Sequence, residues 1–232
     1  MLVLVTSANS IRADFLTPTS ILNYSSEYSG RNASDAIQSG DLSSNDINGT
    51  HNETNVNNMW LSNGSIVNQY IIFELPDIYD LSKIYLWNYY ESASLKTRSI
   101  NSFHVTISSD NIVWTNPSSG NSQVAAIATL DAGSNIIMET LNMSSSNTHY
   151  IRFDIDTNHG DANYLGIAEV RFEGTKSPDN ISPTISVLSP LNNDRGVPVF
   201  SDLKITFNDN IQFGTGNVLI KKNKRCQYCR NI

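Results

Sequence analysis

Tyr150-Ile151-Arg152-Phe153-Asp154-Ile155-Asp156 and, shortly after it, Gly166-Ile167-Ala168-Glu169-Val170-Arg171-Phe172 decide the fold class of this chain. In the first stretch Ile151, Phe153 and Ile155 alternate with Arg152, Asp154 and Asp156; in the second Ala168, Val170 and Phe172 alternate with Glu169 and Arg171. A period of two puts each set on its own face of a β-strand. Upstream, Phe103, Val105 and Ile107 alternate with Ser102, His104 and Thr106, and Ser108-Ser109-Asp110-Asn111 supplies a turn. The continuous apolar runs at 70–75 and 84–87 read as strands buried on both faces. Turn-rich spacers separate all of these and no helical period competes, so the chain reads as all-β, a sandwich or jelly roll.

Outside these strands the composition is polar but weakly charged. Hydrophobic residues make up 39% of the 232 residues and charged ones only 16%. Asn and Ser supply roughly a quarter of the chain, above ordinary usage, which suits many short strands joined by loops. The net charge of −7 and the lack of a basic stripe argue against nucleic acid, because phosphate contacts need clustered Lys and Arg. The one short basic cluster, Lys221, Lys222, Lys224 and Arg225, reads as a solvated tail. Cys226 and Cys229 form a single CxxC without the second pair that a structural zinc site needs.

Four segments follow from these patterns. Residues 1–19 form an N-terminal segment whose Leu2-Val3-Leu4-Val5 run, short and without a basic start, is consistent with a signal-peptide remnant. Residues 20–174 carry the strand patterns of one domain, and 175–183 have the Gly, Ser and Pro content of a linker. Residues 184–232 carry three further strand patterns, at Ile185/Val187, Leu203/Ile205/Phe207 and Val218/Ile220, a marginal core for a domain that reads as incomplete. Within the first domain, residues 30–65 lack apolar alternation. So long an irregular segment between well-patterned strands predicts an ordered functional loop.

Trp87-Asn88-Tyr89, Arg98-Ser99-Ile100, Phe103-His104-Val105, Ser108-Ser109-Asp110 and Trp114, followed by Tyr150–Phe153 and Gly166–Phe172, occur in the order of the discoidin or coagulation-factor C-type (F5/8 type C) pattern. Over residues 20–174 the chain resembles that family, and within it the bacterial family-32-like carbohydrate-binding modules. The resemblance implies a galactose-binding-like jelly roll. Ser182-Pro183-Thr184-Ile185, Leu188-Ser189-Pro190 and Leu203–Phe207 resemble the opening half of a bacterial Ig-like domain. Domains of that kind act as spacers, which implies a secreted or cell-surface multidomain protein.

The resemblance also implies a structural calcium ion between an early loop and the last strand. Calcium takes six to eight oxygens, and the nominated ligands are Asp41, Asn45, Asp46, Thr50 and Glu169. Period two alone points Glu169 outward, between the inward Ala168 and Val170.

Sugar recognition needs an aromatic surface against a pyranose, with paired donors and acceptors for its hydroxyls. In this fold the ligand face is formed by loops at one end, and the candidates there are His51, Trp60, Asn88, Tyr90, Arg98, Asn158 and Tyr164. Trp87 reads as core, Trp60 as either core or ligand surface, and Arg98 has a structural alternative in a pair with Glu91.

Catalysis has one foothold, the same-face carboxylates Asp154 and Asp156 with Asp161 nearby. Arg152 beside them makes a solvated charge ladder the better reading, and no GxSxG or HExxH motif is present. The expected function is therefore non-catalytic binding of glycans, galactose-type or related, for adhesion. The alternative is a structural or protein-binding module of the same fold. The Asn/Ser/Asp-rich loops weigh against a membrane surface.

Overall fold

A computed structural model describes residues 13–38, 40, 42–52, 56–178, 184–191, 194–198 and 200–208. The chain divides into two compact units, Met1–Pro178 and Asp179–Ile232.

Among the described residues the first unit has eleven strands: β1 (Asp14–Leu16), β2 (Ser20–Tyr24), β3 (His51–Asn52), β4 (Trp60–Leu61), β5 (Gln69–Asn88), β6 (Ile100–Ser108), β7 (Ser122–Val124), β8 (Asn135–Ile136), β9 (Glu139–Asn142), β10 (Thr148–Asn158) and β11 (Gly166–Lys176). All pairings between these strands are antiparallel. The two apolar runs read separately at 70–75 and 84–87 belong to one strand, β5, 20 residues long. Its first part, through Glu74, pairs with β2 and β10; its later part, from Tyr79, pairs mainly with β9 and β11. Pro76 sits between the two parts, where a residue without an N–H suits a break in pairing. One strand therefore serves both layers of the sandwich. β10 continues through β6 to β7, and β11 is flanked by β1.

Period-two reading places the inner core correctly. Phe103, Val105, Ile107, Ile151, Phe153, Ile155, Val170 and Phe172 are buried together with Phe73. The Phe73 ring meets Phe153 at 5.0 Å and Phe172 at 5.6 Å between centroids, both edge-on, the arrangement aromatic quadrupoles favour. His104, on the opposite face of β6 from Val105, is exposed, as its alternation requires.

Two domain limits shift. β1 pairs Asp14 with Gly174 and Leu16 with Phe172, so the fold begins before residue 20. β11 continues past 174 to Lys176, whose partner is Tyr79.

The 30–65 segment is ordered where described and has a structural task. It carries short 3-10 turns at Ala33–Ile37 and Val56–Asn58, and β3 pairs with β8 through His51 and Ile136. Leu42, Met59 and Leu61 from this region, with Ala128 and Ile136, close over Tyr85, Trp87, Tyr89 and Ala168. This second apolar cluster lies outside the main core and buries the other face of β5 and β11. A bulge between Ile167 and Glu169 lets β11 present buried residues to both sides. The covering loop also buries Glu169 and Arg171, where simple alternation would have put them in solvent.

In the second unit β12 (Ile185–Ser189) and β13 (Lys204–Phe207) form one antiparallel pair, with Ile185 opposite Phe207. These match the first two strand patterns read there. The third, Val218/Ile220, and the CxxC of Cys226 and Cys229 lie outside the described residues. Among the described residues no helix is long and apolar enough to cross a membrane.

Candidate functional site

The strand register defines two ends of the first unit. Asp14, Tyr79 and Lys176 mark one end; Asn88 opposite Ile167 and Asn158 opposite Ile100 mark the other. The second end gathers the loops 25–31, 89–99 and 158–165.

Each of those loops contributes to one network. Tyr28-Ser29-Gly30-Arg31 is a tight turn, closed by the Arg31 N–H donating to the Tyr28 carbonyl at 2.9 Å, with Gly30 at φ +76° where a side chain would be strained. The Arg31 guanidinium donates to the Tyr89 hydroxyl at 2.8 Å and pairs with Glu91 at 3.3 Å. Glu91 also accepts from Tyr89 at 2.7 Å and from Arg98 at 2.8 Å. Arg98 reaches on to Asp161 at 3.2 Å and lies over the Tyr164 ring, 4.8 Å from its centroid. Tyr164 meets Tyr28 edge-on at 5.9 Å. Arg31, Glu91, Arg98 and Asp161 thus form a ladder of alternating charge beside two tyrosines.

The charge states follow from the contacts. Burial works against ionising Asp161, but the N–H groups of Asn163 and Tyr164 and the Arg98 guanidinium outweigh it and hold its carboxyl below the usual range. Burial disfavours the charged form of Arg98 as well, yet hydrogen bonds to Tyr89 and Asp161 raise its pKa overall. The Tyr89 hydroxyl is pushed up to about 12, by burial first and by the Glu91 carboxylate second.

The sequence-predicted ligand residues separate into two groups. Arg98 and Tyr164 meet in the network, and Asn158 shapes it. The Asn158 amide donates to the carbonyls of Asp161 and Tyr164 at 2.8 and 2.7 Å and so fixes the 158–164 loop. His51, Trp60 and Asn88 are corrected: all three are buried. His51 sits in β3 beneath the long loop. The Trp60 indole N–H donates to the Ser26 carbonyl at 2.9 Å. Asn88 donates to Ile100 and Ala126 carbonyls and accepts from the Tyr89 and Ile100 N–H groups, which uses its amide as an interior staple. Tyr90 is half-buried against the second apolar cluster. Arg98 takes the structural partner anticipated for it, Glu91, and a second one in Asp161.

The sequence reading missed Tyr28 and Arg31. Tyr28 is 43% exposed and the most accessible aromatic of the network. Its Tyr-Ser-Gly-Arg turn was a usable signal, because a glycine-bearing turn projects its flanking side chains outward.

The nominated calcium ligands that are described each have partners within the protein. Asp41 lies outside the described residues. Asp46 accepts from the Asn48 N–H at 2.7 Å and from the Ser44 hydroxyl at 3.0 Å, a self-contained turn. The Thr50 hydroxyl meets that of Ser43 at 3.1 Å. Glu169 is ion-paired with Arg171, both side chains wholly buried, and Asn45 Oδ1 accepts from Arg171 Nε at 3.3 Å. A guanidinium therefore faces these oxygens. Among the described residues no three His, Cys, Asp or Glu side chains gather into a metal-holding group.

The carboxylates considered for catalysis are engaged too. Asp154 is gripped by Arg152, which also lies 4.1 Å over the Tyr70 ring, and Asp156 meets His104 at 2.7 Å.

No protein-family model and no curated protein matches the chain. Solved structures do. A fragment of a protein described as a chitobiase, from Bacteroides thetaiotaomicron, is similar with a TM-score of 0.53 at 14% identity, covering 72% of this chain and 96% of that one. A family 32 carbohydrate-binding module from a family 31 glycoside hydrolase of Clostridium perfringens aligns with a TM-score of 0.45 at 20% identity, over 67% and 90%. An F5/8 type C domain from Bacteroides fragilis aligns at 0.46 and 14%, over 68% and 91%. The likeness to the first of these shows a shared β-sandwich fold. Sequence identity at that level transfers no ligand.

Proposed function

We propose that the first unit is a non-catalytic carbohydrate-binding module whose ligand face is the loop end built by Tyr28, Arg31, Glu91, Arg98, Asp161 and Tyr164. The observation that carries the reading is the adjoining of an aromatic pair, exposed Tyr28 and half-buried Tyr164, to a ladder of charged donors and acceptors. A pyranose offers an apolar face and a rim of hydroxyls, and this surface answers both. Fixed partners also keep the polar groups from reorganising on binding, which lowers the entropy cost.

The ligand class is a glycan, galactose-type or related, and the setting a secreted or surface protein in which the second unit is an Ig-like spacer. A single small site of this kind binds weakly, so adhesion comes from several copies acting together.

A glycan array probed with the full chain tests the reading. Saccharide binding that Tyr28→Ala abolishes without lowering the melting temperature is the expected result. A blank array transfers the proposal to protein partners of the same fold, and undiminished binding by Tyr28→Ala places the ligand elsewhere.

A further inference from the structure

The long polar loop over β5 and β11 must be held down by something stronger than its few apolar residues. Leu42 is the one apolar side chain of 42–46 in the second cluster. Beyond it the loop is fixed by polar contacts. The Trp87 indole N–H donates to the Gly49 carbonyl at 3.0 Å, and Trp87 lies opposite Glu169 in the β5–β11 register. Residue 49 has to be glycine, because a Cβ there would come within 2.2 Å of the Ser44 carbonyl oxygen. A further anchor is Arg171.

Three oxygens converge on that guanidinium. Its Nη1 donates to Glu169 Oε1 and to the Val170 carbonyl, the latter at 2.8 Å, and its Nε donates to Asn45 Oδ1 at 3.3 Å. Asn45 shares a further contact with the Thr17 hydroxyl at 3.3 Å, so the same group ties the loop to the segment between β1 and β2. Carboxylate, main-chain carbonyl and side-chain amide are the oxygen types that hold a hard cation. Here they surround a cation already covalently part of the chain.

We propose that Arg171 is a built-in counter-cation that does the work of a structural calcium ion, and that this module folds and holds its 42–52 loop without calcium. Glu169 and Arg171 sum to zero charge, and neither side chain reaches solvent. A divalent ion added to that pair would leave a buried excess of two positive charges, which a protein interior does not tolerate. The guanidinium also supplies directed donors in a plane, so it fixes the geometry of the loop where a metal ion would leave the ligands freer to rearrange.

The test uses the full chain and does not depend on any sugar. The melting temperature is measured in chelator and in millimolar calcium, and terbium is titrated while its emission sensitised by the nearby Trp87 is followed. The expected results are equal melting temperatures and no saturable emission. Arg171→Met, which keeps the stem and removes the charge, should melt lower by about 10 °C in both conditions. A calcium-dependent rise with saturable terbium emission that Glu169→Gln abolishes overturns the proposal, as does an Arg171→Met variant as stable as the parent. If Arg171→Met does not fold, the calcium and terbium measurements on the unaltered chain still decide.

Discussion

Arg98 and Arg171 both sit among acidic and carbonyl oxygens, yet they occupy opposite situations in one domain. Arg171 is shut away under the long loop with a single carboxylate, Glu169, at 0% exposure on both sides. Arg98 lies at the loop end between Glu91 and Asp161, 17% exposed, with an aromatic ring beneath it. Removing one partner of a fully buried pair strands the other charge in the interior, whereas a partly wet pair can fall back on water. The first arginine is therefore scaffold, and the second is scaffold with an open edge. Burial, more than the pairing itself, sets which of these an ion pair becomes.

The largest effect expected from breaking the contrast is at the buried pair. Arg171→Met alone should cost about 3–5 kcal/mol in denaturant unfolding, and the double variant Glu169→Leu/Arg171→Met should recover most of it. A double variant as unstable as the single one would mean the loss comes from packing and not from a stranded carboxylate. Next in size, Arg98→Ala should cost about 1–2 kcal/mol, because Glu91 keeps Arg31 and Tyr89, and Asp161 keeps two N–H donors.

A pH series sharpens the same point. The Asp161 carboxyl is held below its ordinary value of 3.8 in the folded state, so its contribution is complete above that value and is lost as pH falls below it. Asp161→Asn should flatten the acid limb of the stability curve there, and an unchanged acid limb would remove Asp161 from the account. The smallest stability change belongs to Tyr28→Ala, within about 0.5 kcal/mol by chemical denaturation, since the side chain is exposed. That variant should nonetheless show the greatest loss of glycan binding.

The inner core was legible because Phe103, Phe153 and Phe172 lie on strands whose two faces differ in chemistry, and period two reports that difference directly. The outer cluster was not. Tyr85, Trp87 and Ala168 are buried by a loop made almost wholly of Asn, Ser, Asp and Gly, and no local pattern on a strand tells whether a distant loop will cover it. The same cause moved Trp60, His51 and Asn88 from the ligand surface to the interior and turned Glu169 inward. Arg98 and Tyr164 were placeable at the loop end because the loops carrying them follow recognisable strands. Tyr28 was missed because it stands on a turn, beside Arg31, in a stretch without apolar periodicity.

The pairing of Asp14 with Gly174 has a mechanical consequence. A pull on residues 14 and 174 bears on neighbouring points at one end of the sandwich, so the ladder of β1 and β11 opens rung by rung, from Asp14–Gly174 through Phe15–Glu173 to Leu16–Phe172. The tension enters far from Tyr28, Arg98 and Tyr164. Such a pull is thus relieved first by peeling the short edge strand β1, while the loop end keeps its shape.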